Sequence, residues 1–284
     1  MSDLENIEKL SDTQLTGDER FTYYGENTEM SMLEFWRWHF SEIFDLQSKI
    51  AEYIVGKALG LKEAENVGVW TLYDMMYRGK RIEIKETSFY HAWQTDDEPK
   101  SQQRSFGITK AYDDYTDKNS QYRRQNDIYV FCLNTGETKA ESNPLMLEHW
   151  EFYIVPTYVI DEFCKDSKTI SLSRVKKLSD SITYDKLKAE LDRLIDYWDV
   201  IIAHRFSSNH MNSIKNDRVC GCFSCMKIFD PKEITEWLID DNNSCDKLGT
   251  AVCPYCGIDS VIGERSGYPI TTEFLMKMYE YWFQ

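Results

Sequence analysis

Two acids and a lysine flank a predicted turn in an arrangement that could do metal chemistry. Asp74 precedes the turn, and Glu83 and Lys85 follow it. If residues 78 and 79 form a two-residue hairpin turn, counting outward from the turn places Asp74 directly opposite Glu83. Side chains alternate along a strand, so Lys85 shares the face of Glu83. One face of the hairpin is therefore predicted to gather two carboxylates and an amine.

This predicted face suits hydrolysis of a phosphodiester. Like charges at directly opposed strand positions destabilise a sheet unless they are neutralised, and a divalent cation would neutralise them. Hard carboxylate oxygens favour Mg²⁺ or Mn²⁺, and such an ion stabilises charge on the reacting phosphate. Lys85 would position the attacking water or help to deprotonate it. The alternative is a half-exposed hairpin with ordinary salt bridges among its charged side chains, Arg81 included.

The strings Leu72-Tyr73-Asp74 and Ile82-Glu83-Ile84-Lys85 resemble the signature of the PD-(D/E)xK, or restriction-endonuclease-like, nuclease superfamily. Residues 31 to 190 look like an uncharacterised bacterial branch of it. The proline that usually precedes the first acid is replaced by Tyr73. The resemblance implies a metal-dependent nuclease, with DNA favoured over RNA, and it suggests a role in defence against foreign DNA.

The resemblance also implies roles for individual residues. Asp74, Glu83 and the Ile84 carbonyl would bind the catalytic metal, and Lys85 would act at the attacking water. Glu52, on the preceding predicted helix, would be a further ligand or a water-positioning group, and a solvated helix residue is the alternative. Four arginines are candidates for phosphate contacts, with a charged surface as the alternative: Arg81, Arg104, Arg123 and Arg124.

Six of the eight cysteines lie between residues 220 and 256, and four of them form two CxxC pairs separated by 27 residues. Two such turns supply the tetrahedral shell of four thiolates that Zn²⁺ prefers in structural sites. The predicted ligands are Cys222, Cys225, Cys253 and Cys256. Cys220 is an alternative to Cys222. A redox dithiol is disfavoured, because no thioredoxin-like unit surrounds either pair.

The segment around these cysteines resembles a small bacterial cytoplasmic zinc module, ribbon-like or treble-clef-like, that covers residues 209 to 283. Several polar residues near the cysteines are candidates for a second site of the kind found in treble-clef nucleases, although structural hydrogen bonds are favoured for them: His204, His210, Asp259 and Glu264. The module itself would recognise a substrate or a partner, or stabilise an assembly.

The predicted helices and strands that would position these residues indicate an α/β fold. We expect a restriction-endonuclease-like mixed sheet flanked by helices, together with a small C-terminal zinc-binding domain. We expect an acidic N-terminal arm over residues 1–30, a nuclease-like domain over 31–205 and the four-cysteine module over 206–284. Helices are predicted within 31–59, 157–164 and 184–197. Strands are predicted at 67–77, 80–87, 105–109, 127–133 and 150–155.

Composition limits the classes of function. The chain has 284 residues and a net charge of −15, which argues against a generic nucleic-acid coat protein. Nine acids and two bases in residues 1–34 contribute −7 of that charge, so a local basic surface remains possible in the middle of the chain. No export signal or membrane helix is expected, which favours the cytoplasm. The competing function is a noncatalytic nuclease-like protein that binds a partner through its zinc module, and a homodimer is a further possibility.

Overall fold

The computed structural model describes residues 16–39, 47–61, 72–90, 104–113, 119–138, 141–239 and 249–284. The chain divides into two compact units, Met1–Glu190 and Leu191–Gln284. The division lies 15 residues before the expected boundary at 205/206. The reason is that Val200 and Ala203 belong to the same buried cluster as Leu275 of the C-terminal helix. Among the described residues, no helix combines the length and apolarity needed to cross a membrane.

The first unit contains ten strands and four complete helices among its described residues. The strands are β1 Arg20–Tyr23, β2 Glu26–Ser31, β3 Met75–Tyr77, β4 Lys80–Ser88, β5 Ser105–Gly107, β6 Ala111–Tyr112, β7 Tyr122–Arg123, β8 Ile128–Asn134, β9 Trp150–Pro156 and β10 Thr169–Ser171. The helices are α1 Met32–His39, α2 Gln47–Leu59, α3 Thr157–Cys164 and α4 Leu172–Leu178, and a 3-10 turn covers Leu147–His149.

Helix α5 covers Tyr184–Asp196, and the division between the two units falls within it. The complete helices of the second unit are α6 Trp198–His204, α7 Met211–Ile214 and α8 Thr272–Phe283. Its strands are β11 Cys220–Cys222, β12 Ile228–Phe229, β13 Trp237–Ile239, β14 Gly249–Ala251 and β15 Val261–Gly263, and 3-10 turns cover Pro231–Glu233 and Glu264–Ser266. A three-stranded sheet in the order β12-β11-β15 carries the first two cysteines of the sequence cluster.

The main sheet of the first unit is mixed, in the order β3-β4-β8-β9. Strands β3 and β4 are antiparallel, β4 and β8 parallel, and β8 and β9 antiparallel. Every residue of β8 is buried, which is typical of a central strand covered on both faces. The predicted α/β class with a mixed sheet is therefore confirmed at this level, and the predicted helix over 157–164 is confirmed at both ends.

The two faces of the main sheet are covered differently. Helix α2 covers one face, where Gln47 meets Ser88 and where a side chain at Gly56 would contact Met75. The other face packs into a buried cluster formed with strands β5 and β10 and helices α3 and α4, which includes Tyr129, Phe131, Leu133, Tyr153, Ile160, Ile170 and Val175. Because side chains alternate along β4, the two layers receive different residues of the same strand.

An ion pair holds the start of β4 beside the start of β8. Asp127 accepts hydrogen bonds from the Arg81 backbone N–H at 2.9 Å and from the guanidinium at 2.8 and 3.1 Å. In return the Asp127 N–H donates to the Arg81 carbonyl at 2.8 Å. This two-way contact fixes the register between the strands just before the candidate acid Glu83.

The structure corrects two of the predicted elements. The predicted arm over residues 1–30 contains an antiparallel hairpin, β1 and β2, closed by a turn in which Tyr24 and Gly25 both have positive φ. The predicted strand over 67–77 is a strand only at Met75–Tyr77, with bends at 72–74, and residues 67–71 lie outside the described residues. Strand β3 is short because the Asp74 side chain, and not a strand backbone, accepts the hydrogen bond from the Ile84 N–H of β4.

Arg124 is the central polar contact of the first unit. Its side chain is fully buried and ion-pairs with Asp161 at 2.5 Å. It also donates to the carbonyls of Ile108, Lys165 and Ser167 at 2.9, 3.0 and 3.1 Å. These bonds tie the approach to β8 to helix α3 and to the turn before β10, so Arg124 is a structural residue and is not available for the predicted phosphate contact.

The adjacent arginines allow a matched test of this role. We expect Arg124→Met to lower the free energy of unfolding by about 2–4 kcal/mol, because three carbonyls, that of the buried Ile108 among them, lose the donor that the fully buried guanidinium supplies. Arg123→Met, which removes an exposed ion pair with Asp113, should cost about 0–1 kcal/mol. Urea unfolding followed by circular dichroism measures both. Equal effects of the two substitutions would contradict the structural role of Arg124.

Candidate functional site

The candidate acidic site lies where β3 ends and β4 continues. Tyr77 pairs with Lys80, which confirms the predicted register of the hairpin. The ladder stops at Met75, and the Asp74 N–H donates to the Ile82 carbonyl at 3.0 Å. The Asp74 carboxylate then accepts the N–H of Ile84 at 2.6 Å. A side chain thus takes the place that a continued β3 backbone would have filled.

Among the described residues, no strand pairs with the edge of β4 beside Ile84 beyond this contact. The N–H and C=O of one strand residue point toward the same neighbouring strand, so the Ile84 carbonyl faces the edge where Asp74 lies. Ile84 itself is buried, and the flanking Glu83 and Lys85 are half-buried. A backbone carbonyl and a carboxylate therefore border the same stretch of strand.

Glu83 and Lys85 form a salt bridge along β4. They are two residues apart on the same face of the strand, as the sequence predicted. Their side chains are 18% and 33% exposed, respectively, so the pair is partly shielded from solvent and accessible from one side. Burial raises the pKa of Glu83, the charges of Asp74 and Glu52 raise it further, and Lys85 opposes them.

Glu52 lies on helix α2 and shares the electrostatic environment of the hairpin. Its carboxylate binds Lys49 at 2.8 and 2.9 Å. Burial raises the pKa of Glu52, and the charge of Asp74 adds to this effect, whereas Lys49 and Lys85 lower it. The structure therefore brings Glu52, Asp74, Glu83 and Lys85 within electrostatic range of one another.

The acidic groups do not form a closed cage. Within the described ranges, the only group of three or more His, Cys, Asp or Glu side chains placed to hold a metal ion together is the cysteine cluster of the second unit. A cation at the hairpin would accordingly rely on the carboxylates of Asp74 and Glu83 with the Ile84 carbonyl. Such an open oxygen shell, completed by water and phosphate, is the kind that Mg²⁺ uses.

The four arginines predicted to contact phosphates already have other partners. Arg124 is fully buried. Arg104 is also buried, and its guanidinium donates to the Phe89 carbonyl at 2.5 Å. Arg81 is held by Asp127, and the 45%-exposed Arg123 by Asp113. The prediction is wrong for Arg124 and Arg104, whose buried side chains perform structural work that the sequence could not distinguish from surface charge.

Sequence reasoning missed Glu86, which follows Lys85 directly. Its Oε1 is buried and accepts no hydrogen bond from the described residues. Burial raises its pKa to about 7. The alternation Ile82, Ile84, Glu86 was the available signal, because it places this acid on the face that the two isoleucines share.

The second unit brings together the four predicted cysteines. Their sulfur atoms all lie within 4.8 Å of one another. The Sγ atoms of Cys222 and Cys256 are 3.6 Å apart, and those of Cys225 and Cys253 are 3.7 Å apart. Four converging sulfurs can hold a metal ion such as zinc.

The two turns that present the thiols have the same backbone form. The Met226 N–H donates to the Cys222 carbonyl at 2.9 Å, and the Gly257 N–H donates to the Cys253 carbonyl at 2.9 Å. Gly257 has φ +75°, and Met226 has φ +62° at the equivalent position. In the sequence, Gly257 indicates the second turn. The first turn has no such indication, because Met226 adopts a left-handed conformation that its side chain disfavours.

Cys222, and not Cys220, belongs to the cluster. The Cys220 thiol is buried and donates to the Phe229 carbonyl at 3.4 Å, and burial raises its pKa to about 12. Burial also raises the pKa of Cys222 and Cys253. Thiolates at those positions therefore need a nearby cation at neutral pH, which a bound metal would supply. Cys245 lies outside the described residues.

The candidates for a second polar site do not converge. Glu264 pairs with Arg218. His204 stacks on Trp282 with ring centroids 4.0 Å apart, and burial lowers its pKa. Burial also lowers the pKa of His210, to about 4. The ion pair of Glu264 agrees with the structural role that the sequence favoured, whereas the ring nitrogens of His210 are buried without a hydrogen-bond partner among the described residues.

Comparison with protein-family models, with curated proteins and with solved structures finds no match for this chain. The case for each site therefore depends on the geometry of its residues.

Metal content distinguishes the two candidate ligand sets in the second unit. We expect the purified chain to hold one metal ion in the thiolate cluster, and Cys222→Ser to lower that content because the shell loses a sulfur. Cys220→Ser is the matched control and should keep the metal. Atomic absorption, and the thiolate-to-metal absorption band after exchange with Co²⁺, measure this. Retention by Cys222→Ser together with loss by Cys220→Ser would reverse the assignment.

Proposed function

We propose that the first unit is a metal-dependent nuclease of the PD-(D/E)xK type that hydrolyses phosphodiester bonds in nucleic acid, with DNA the favoured substrate. The observation that carries this proposal is the contact of the Asp74 carboxylate with the Ile84 N–H, next to the Glu83–Lys85 salt bridge. Helix α2, the hairpin and the parallel pairing of β4 with β8 support a restriction-endonuclease-like core.

The residues at the open edge of β4 fit a hard divalent cation. Asp74, Glu83 and the Ile84 carbonyl would hold Mg²⁺ or Mn²⁺, since all three offer oxygen ligands. When bound, the ion would stabilise the charge that develops on the phosphate and lower the pKa of a water. A cation would stabilise the charged form of Glu83, because burial and two neighbouring acids disfavour its negative charge.

Lys85 supplies the positive group of the site. Its ammonium lies against Glu83, where it offsets the negative charge of the acids and is within reach of a water or phosphate oxygen at the same edge. In this role it orients the attacking water and neutralises charge on the scissile phosphate. Partial burial keeps this interaction from being fully screened by solvent.

The test of the proposal is cleavage of nucleic acid with Mg²⁺ or Mn²⁺. Lys85→Met and Asp74→Asn should each lower the rate by about 10²-fold or more, because the site loses its charge balance or a ligand. Lys80→Met is the matched control, since it lies on the same strand but on the other face, and it should cleave like wild type. Gel assays on single- and double-stranded DNA and RNA measure this, with melting temperature checked for each variant.

Absence of cleavage by wild type across all these substrates would refute the enzyme. Cleavage that persists unchanged in Lys85→Met would refute the assigned site, even if the protein proved to be a nuclease.

Glu52 has a separate prediction, because it shares its electrostatic environment with Asp74 through space. We expect Glu52→Gln to lower the cleavage rate by about 10-fold, whereas Lys49→Met, which removes its partner in the helix, should leave the rate near that of wild type. If both variants cleave like wild type, the salt bridge is an ordinary surface pair.

We further propose that the second unit holds Zn²⁺ through four thiolates as a structural ion. Four protein sulfurs leave no open position on the ion, so its contribution is to folding of the unit. The unit would recognise substrate or a partner.

A noncatalytic binding protein is the competing function, and one observation favours it. Three arginines that were predicted to contact phosphates are each paired with an acid: Arg81, Arg123 and Arg124. The cleavage assay separates the two functions.

A further inference from the structure

Two exposed tyrosines face each other on a short ribbon of the first unit. Strands β6 and β7 pair antiparallel, and Tyr112 lies directly opposite Tyr122. Their ring centroids are 4.9 Å apart, with ring planes at 48°. Tyr112 is 45% exposed and Tyr122 is 52% exposed. Cross-strand packing therefore leaves about half of each side chain accessible to solvent, where a planar ligand could stack.

Further contacts join the two strands of the ribbon. Arg123 pairs with Asp113 at 3.1 Å, and the buried Gln125 donates to the Ala111 carbonyl at 2.9 Å. Alternation along the strands puts Arg123 and Ala111 on one face and the two tyrosines on the other. The tyrosines thus project together from one face of a ribbon whose strands are held to each other by side-chain contacts.

The chain runs from the ribbon directly to the residue that holds the start of β4. Asp127, which holds Arg81 through its backbone N–H and its guanidinium, follows Arg123 of β7 by four residues. Arg81 precedes Glu83 by two residues on the same strand face, about 6.6 Å along β4. A nucleic-acid strand at the acidic site could accordingly reach the ribbon within a few nucleotides.

Electrostatic attraction is a weak means of holding a phosphate backbone at this place. Arg81, Arg123 and Lys110 are each neutralised by an aspartate, and the whole chain carries −15. Nonspecific duplex binding depends on free Lys and Arg that displace counterions. Aromatic stacking needs no such charge, and every unpaired base offers a face for it.

We propose that Tyr112 and Tyr122 form a stacking surface for an unpaired base of the strand that Asp74, Glu83 and Lys85 act on, so that the substrate class is nucleic acid with single-stranded character. This inference rests on the proposed nuclease function and specifies its substrate. Single-stranded DNA and RNA share the stacking chemistry, and separate arms of the experiment distinguish them.

The experiment measures binding with the full chain and Ca²⁺, so that affinity is read without turnover. The probes are a fluorescein-labelled DNA strand, the RNA of the same sequence, and the blunt DNA and RNA duplexes. Wild type should bind one or both single strands more tightly than the duplexes, with a shallow salt dependence. Replacing both tyrosines by threonine, a good strand former, should weaken single-strand binding by about 10- to 100-fold.

Replacing both tyrosines by phenylalanine keeps the rings and should keep the affinity, which separates stacking from a general disturbance of the ribbon. The melting temperature of each variant is compared with that of wild type. Threonine variants that melt like wild type and bind single strands equally well would overturn the inference, as would equal affinity of wild type for the blunt duplexes. If the threonine variants do not fold, the phenylalanine variants and the strand-against-duplex comparison still decide it.

Cleavage assays distinguish a failure of the stacking surface from a failure of the nuclease proposal. Lys85-dependent cleavage that is equally fast on blunt duplexes and in the threonine variants would refute the stacking surface and leave the nuclease intact. Tyrosine-dependent strand binding in a protein that cleaves nothing would support the stacking surface and refute the nuclease.

Discussion

The contact between the Asp74 carboxylate and the Ile84 N–H is the constraint on which the candidate site depends. A backbone partner for β4 at this point would have covered the edge and used the Ile84 carbonyl in a ladder bond. A side chain from the neighbouring strand satisfies the N–H instead and ends the ladder after three residues. The same interaction therefore shortens β3, opens the edge of β4, and holds a carboxylate next to the strand that carries Glu83.

The rest of the first unit keeps this edge in place from behind. The central strand β8 is buried on both faces, and the Arg81–Asp127 contact fixes it to the start of β4. Arg124 also donates to the carbonyls of two separate segments, at Ile108 and at the turn that holds Lys165 and Ser167. A guanidinium suits this position because its fixed fork of donors can satisfy several acceptors at once. The charged groups at the edge can thus stay half-exposed while their supports are buried.

The parts of the structure that could be predicted from the sequence are those fixed by short spacing. A two-residue turn sets the pairing of Tyr77 with Lys80, and two CxxC turns bring their own thiols together. The arginines show the limit of such reasoning: Arg123 and Arg124 are adjacent in sequence, yet one is exposed and the other buried, because alternation and distant carbonyls decide between them. The hairpin formed by β1 and β2 was missed since its strands are exposed and lack apolar alternation.

Two different donor sets in one chain make different demands on a metal. Oxygen donors at an open strand edge favour a hard cation that keeps its waters, whereas four sulfurs favour a softer ion and exclude water. Zn²⁺ also binds carboxylates, so the acidic edge alone cannot select Mg²⁺ over Zn²⁺. The selection would come from the sulfur cluster, whose closed shell of four thiolates binds Zn²⁺ far more strongly than two carboxylates and a carbonyl can. The two donor sets lie in two compact units, each with its own core, so in the proposed function an ion held by sulfur would serve folding while an ion held by oxygen would meet the substrate.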